Sequence, residues 1–200
     1  MTLFQTYQTI FSQIDWRFFG LSAIIFFCGI LSAPYVIRKN ITFLIKYPTW
    51  IQVILERYLS QEKGAVSLFT LIFSLNMLSL SLDFLAGWSV VLPFVFAFLT
   101  GLNIAIISYR IGGMLAIFTL LFNPVAILEL PAMWFALTAG MQLSQAIWDG
   151  REMPAVLAQF YFGIDIFIHL TTPLLLIAAI IETAMIIATP PKAEGNDDSS

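Results

Sequence analysis

FFGLSAIIFFCGILSAPYVI, residues 18–37, contains no charged side chain, and Arg38 and Lys39 follow it directly. A helix of about 20 residues crosses the roughly 30 Å hydrocarbon core of a bilayer, and cations at its end reach the lipid headgroups. The run therefore predicts a transmembrane helix that ends at these two residues.

The composition extends this prediction to the whole chain. Of its 200 residues, 60% are hydrophobic and 10% are charged, too few polar groups to cover a water-soluble globule. The net charge is −3 and no basic stripe is present, which argues against a nucleic-acid partner. With one cysteine and one histidine, the chain cannot form an internal disulfide or a Cys/His zinc site. We predict no metal and no cofactor.

Further apolar runs predict an all-α polytopic transmembrane helical bundle with about five spans. The predicted spans cover residues 18–37, 66–85, 88–109, 114–147 and 160–187. Only Ala86 and Gly87 separate the second span from the third, so these two should form a tight antiparallel hairpin.

The fourth run, residues 114–147, would be about 50 Å long as one straight helix, too long for one simple crossing. Asn123, Pro124 and Pro131 interrupt it, which predicts a broken helix: a short arm over 114–122, then a span from Pro124. The arm is either re-entrant or a full crossing, and the latter would give six spans. Pro173 interrupts the last span in the same way.

Two amphipathic helices are predicted to lie at the membrane interface. In residues 1–17, which lack the basic start of a secretory signal, apolar side chains recur at helical spacing. A second such helix is predicted at about 49–60, with Thr49 and Gln52 as its capping box. The connection 38–64 holds five basic and two acidic residues, which predicts a cytoplasmic location. Residues 188–200 form a polar tail that we predict to be disordered.

An ionisable side chain inside lipid costs about 2.5–3.5 kcal/mol on insertion scales, so each one requires a partner, a cavity or a shallow position. Glu129 lies two residues before Pro131, in the stretch that also contains Asn123. One interpretation is a polar cavity or ion path at a discontinuous helix. The other is a hydrogen-bonded cluster that joins two helices.

Four further ionisable residues lie in apolar runs. Asp165 and His169 are four residues apart on one helical face, so the carboxylate could orient the imidazole, either in a proton relay or as a structural pair. Glu182 lies about 220° further around that helix and should face another helix. Asp83 is near the end of its span and is predicted to reach water, and Asn76 offers little functional information. No catalytic triad, phosphate loop or two-His motif is present, so we predict no enzyme activity.

NPVAILELPAMWFALTAGMQLS, residues 123–144, resembles the His-Gly-x-x-Glu-x-Pro-Ala run and small-residue helix of the stage II sporulation protein M family. Residues 69–93 and 173–186 resemble two other segments of that family, so the resemblance covers about 66–187. The matching positions are Glu129, Pro131, Ala132, Gly140 and Glu182. Asn123 and Pro124 replace the family's His-Gly, so any role of that histidine is not carried over.

The resemblance implies a bacterial plasma-membrane protein that acts with other membrane proteins. The sporulation member of the family belongs to a complex that remodels peptidoglycan during engulfment, and a different subunit is the enzyme. We therefore interpret this chain as a non-enzymatic membrane scaffold or assembly partner. The alternatives are a transporter or permease-like subunit that uses the broken helix and buried carboxylates, and the membrane half of an exporter with a separate ATPase.

Overall fold

The computed structural model describes residues 2–59 and 64–188, and this part of the chain consists of helices joined by short connections. The helices are α1 Leu3–Gln13, α2 Trp16–Arg38, α3 Thr42–Leu59, α4 Ala65–Leu85, α5 Leu92–Leu121, α6 Pro124–Trp148, α7 Met153–Ile166 and α8 Thr172–Ala188. A short 3₁₀ turn, Ala86–Trp88, follows α4, and a π-helical turn, Phe167–Thr171, joins α7 to α8. The predicted tail, apart from its first residue, lies outside the described residues.

Five helical stretches in the described part are long and apolar enough to cross a bilayer. They are Trp16–Arg38, Ala65–Trp88, Leu92–Leu121, Pro124–Trp148 and Met153–Ala188. The predicted all-α polytopic bundle is thereby confirmed. The last stretch begins at Met153 rather than at residue 160, because Pro154 occupies the first turn of α7, where a missing N–H removes no helical hydrogen bond.

Helix α6 lies at the centre of the bundle and packs against α2, α4, α5, α7 and α8. Its buried side chains are mainly small, which lets the surrounding helices approach closely. Pro131 does not break it, contrary to prediction: α6 continues from Pro124 to Trp148. A proline inside a membrane helix removes one backbone hydrogen bond, a loss that neighbouring helices make tolerable.

The short arm 114–122 was predicted to be the first part of the broken span 114–147, but in the structure residues 114–121 belong to α5. The arm continues α5 beyond a kink at Gly112 and Gly113, and the φ of Gly113, +64°, lies in the left-handed region that favours glycine. Helix α5 ends at Leu121, with Phe122 as its C-cap, and the Asn123 side chain then accepts a 3.0 Å hydrogen bond from the N–H of Val125. Asn123 and Pro124 therefore start α6, as an N-cap followed by a first-turn proline.

Helix α3 begins at Thr42, earlier than the predicted residue 49, and includes Pro48. Thr49 is consequently not a cap. Its hydroxyl donates to the carbonyl of Ile45 at 2.8 Å and accepts a 2.9 Å hydrogen bond from Arg110 of α5. The earlier start adds about two turns to α3. Packing of α3 against α5 stabilises these turns and outweighs the one hydrogen bond lost at Pro48.

The last span is interrupted before Pro173, as the sequence indicated. Pro173 has no N–H to donate to the carbonyl of His169, four residues earlier. The chain forms the π-helical turn Phe167–Thr171 at this point, and the hydroxyl of Tyr7 donates to the His169 carbonyl at 3.2 Å. Helix α1 thus supplies a hydrogen bond that the proline cannot.

Candidate functional site

Glu129 of α6 is held by a side chain from α4. The Nδ2 of Asn76 donates to Oε1 of Glu129 at 2.5 Å, and both residues are half-buried. The sequence interpretation missed this role of Asn76. The available signal was an amide in the middle of an apolar span, because a polar group placed there requires a partner from another helix.

A cavity of about 670 Å³ opens beside this hydrogen bond, between α4, α5, α6 and α8. Its walls are mostly aliphatic. The polar side chains that line it are Asn76, Ser79, Thr100, Asn123, Glu129 and Glu182. The cavity therefore brings together three of the predicted site residues that are far apart in sequence, Asn123, Glu129 and Glu182.

The two glutamates face the same cavity from α6 and α8. Two carboxylates in one low-dielectric cavity repel each other when both are charged, so a cation or a hydrogen-bond donor between them would favour the doubly charged form. The arrangement can therefore hold a proton, a small cation or a polar group of a partner. Among the described residues, no three metal-ligating side chains come together.

Asp165 and His169 lie outside the cavity and do not form the predicted carboxylate–imidazole pair. The Nδ1 of His169 lies 2.9 Å from the backbone carbonyl oxygen of Asp165, and the Asp165 side chain is exposed. A carbonyl one turn earlier is the nearest acceptor for a side chain on the same helix, so it replaces the carboxylate. The edge of the Tyr7 ring packs against the His169 ring, with centroids 6.2 Å apart.

Asp83 is buried at 4% exposure, whereas the sequence predicted that it would reach water. Helices α6 and α7 cover this end of α4: Gly140 lies directly against the Asp83 backbone, and Gly163 lies against the ring of Phe84. Within the described part of the chain, Oδ2 of Asp83 has no hydrogen-bond partner. Asp83 does not line the cavity.

In a comparison with known protein families, residues 8–185 match the model described as stage II sporulation protein M (SpoIIM). The chain belongs to the SpoIIM family. The match confirms the resemblance seen in the sequence and extends it to α1, α2 and α3. Among curated proteins and solved structures, none is detectably similar.

The residues that match the SpoIIM family model include all the polar residues that line the cavity. The match spans Asn76 on α4, Asn123 and Glu129 on α6 and Glu182 on α8, so every polar group of the cavity lies inside the family region. SpoIIM is not a known enzyme family. The chain is thus a multi-pass membrane protein of this family with a polar-lined cavity among four of its helices.

Proposed function

We propose that this SpoIIM-family protein is a non-enzymatic scaffold of the bacterial plasma membrane, which holds partner membrane proteins that remodel the cell envelope. The observation that carries the proposal is the contact of glycines with neighbouring helix backbones. Such contacts favour a fixed frame of helices over helices that slide past one another.

The first of these contacts joins α2 to α5. A methyl group added at Gly29 would overlap the carbonyl oxygen of Phe98, and one added at Gly101 would overlap the carbonyl oxygen of Phe26. The two helices therefore touch through their backbones at both positions. Small residues at such crossings allow close van der Waals packing, the main attraction between helices in lipid.

The second contact joins the α4–α5 connection to α6, where Gly87 lies against the backbone of Gly140. One turn further along α6, the Ser144 hydroxyl lies 3.0 Å from the Gly87 carbonyl oxygen and 3.2 Å from that of Ser89. Thr171 adds a hydrogen bond of 3.3 Å to the carbonyl of Ala132. Side-chain hydroxyl groups thus form hydrogen bonds to backbone carbonyls of neighbouring segments, which also favours a fixed frame of helices.

Family membership supports the proposal that the partners are other membrane proteins. The resemblance implies that the sporulation member of the family acts in a complex of membrane-anchored proteins, in which another subunit is the peptidoglycan enzyme. A frame that presents an unchanged surface suits this role, because binding costs less when no segment has to be ordered on association.

The test is purification of the tagged full chain from native membranes in mild detergent, with identification of co-purifying proteins by mass spectrometry. We expect an envelope-remodelling enzyme or its membrane anchor in fixed proportion to the chain. Gly29→Ala, which disturbs the frame, should reduce this recovery, whereas Gly20→Ala should not, because nothing lies within 4 Å of Gly20. Purification of the chain alone, or equal recovery with both variants, would contradict the proposal.

The second candidate is a transporter or permease-like subunit, which the cavity with Glu129 and Glu182 favours. The discriminating measurement is labelling of Glu129→Cys by a membrane-impermeant thiol reagent added from each side. The native Cys28 is replaced by serine first, so that position 129 carries the only cysteine of the variant. Labelling from both sides would favour transport, and protection from both would favour the scaffold.

A further inference from the structure

One face of α3 is exposed and combines aromatic rings with a cation. Phe43, Lys46, Tyr47 and Trp50 follow one another at the spacing i, i+3, i+4, i+7, which places them on one side of the helix. The three rings are 86%, 58% and 61% exposed, in that order. The opposite side of α3, with Ile45 and Pro48, is buried.

Further cations lie around this aromatic face. Arg38 and Lys39 are exposed at the end of α2, and the turn at Asn40, with a φ of +50°, leads directly into α3. Arg110 of α5 reaches α3 through its hydrogen bond to Thr49.

Basic residues outnumber acidic ones at this end of the bundle, since the connection 38–64 holds five basic residues and two acidic ones, Glu56 and Glu62. Segments 38–50 and 110–124 contain no acidic residue. At the other end, basic and acidic groups alternate, and Arg151 pairs with Asp149 at 3.4 Å.

We infer that the aromatic face of α3 and the cations beside it bind the headgroups of anionic phospholipids. Aromatic rings with polar edges favour the headgroup level of a membrane, and Lys and Arg near an anionic leaflet each strengthen binding roughly fivefold. A neutral leaflet offers no such gain. A phosphate without acyl chains offers no apolar surface for the rings. This inference does not depend on the proposed scaffold role.

The experiment uses the full chain in detergent and measures retention of phosphatidylglycerol and phosphatidylcholine by native mass spectrometry. We expect preferential retention of phosphatidylglycerol. The double variant Lys39→Gln/Lys46→Gln should bind it roughly 25-fold more weakly, since each cation contributes a factor of about five. The matched control, Arg17→Gln/Arg151→Gln, removes two exposed cations from the other end and should bind as the native chain does.

Four outcomes would overturn the inference. The first is equal retention of the two lipids, and the second is equal loss in the two glutamine variants. The third is competition by glycerol phosphate at the lipid's own concentration, which would indicate a site for free phosphate. Lys39→Arg/Lys46→Arg should preserve binding if charge is the basis, and loss in this variant would also refute the inference. Helical circular dichroism establishes that each variant is folded.

Discussion

Replacing Gly29 by alanine should push α2 and α5 apart. The new methyl carbon would overlap the carbonyl oxygen of Phe98 and lie only 2.8 Å from the amide nitrogen of Leu102. Ordinary contact requires about 3.5–4.0 Å, so the helices have to separate by roughly 1 Å. Overpacking costs about 1–3 kcal/mol, and the upper value applies because both neighbours are backbone atoms. Alanine returns about 1 kcal/mol of helix propensity, which leaves a net loss of about 2 kcal/mol.

The assay is unfolding of the full chain in detergent, followed by helical circular dichroism. Gly20→Ala is the control on the same helix: nothing lies within 4 Å of that position, so only the propensity gain of about 0.5–1 kcal/mol should be seen. Gly101→Ala should be as harmful as Gly29→Ala, and the double variant less harmful than their sum, because one separation of the helices relieves both overlaps. Equal stability of Gly29→Ala and Gly20→Ala would refute the reasoning.

Three other predictions concern single side chains. Asn76→Leu removes the donor to Glu129 and should lower the free energy of unfolding by about 0.6–1.7 kcal/mol in the same assay. Tyr7→Phe leaves the His169 carbonyl without its hydroxyl donor at a cost of about 1 kcal/mol, so amide hydrogen exchange in α1 should become roughly fivefold faster. Cys28, exposed in the middle of α2, should be protected from an impermeant thiol reagent in sealed vesicles and be labelled fully after unfolding in SDS.

Each of these three predictions has its own control variant. Glu129→Gln retains an acceptor for Asn76 and should lose less stability than Asn76→Leu, so a larger loss would contradict the proposed pairing. Tyr161→Phe alters an exposed ring and should leave exchange in α1 unchanged. Asp149→Cys in a chain without Cys28 should be labelled by the impermeant reagent. Rapid labelling of Cys28 itself would show that α2 faces water.

The spans could be predicted from sequence because their signals are local. Apolar length, the cations after residue 37, and Asn123 with Pro124 act over a few residues, and each marks an end that the structure also shows. Pro48 and Pro131 were less informative. Whether a proline ends a helix depends on what packs beside it, and α3 and α6 are both supported by neighbouring helices.

The cavity could be predicted only in part, because it too depends on which helices pack together. Glu129 stood out because a carboxylate in lipid needs a partner, but its partner, Asn76, is 53 residues away. No periodicity encodes a pair on two different helices. The burial of Asp83 is similarly non-local, since it follows from the lack of side chains at Gly140 and Gly163 on other helices.

The π-helical turn Phe167–Thr171 also determines which way α8 faces. Each residue advances an α-helix by about 100°, and a π turn contains one residue more than an α turn. Deleting a single residue there would therefore rotate the whole of α8 by about a quarter of a revolution and turn the Glu182 side away from the cavity. The side of α8 on which Glu182 lies thus depends on the number of residues in a turn more than ten residues before it.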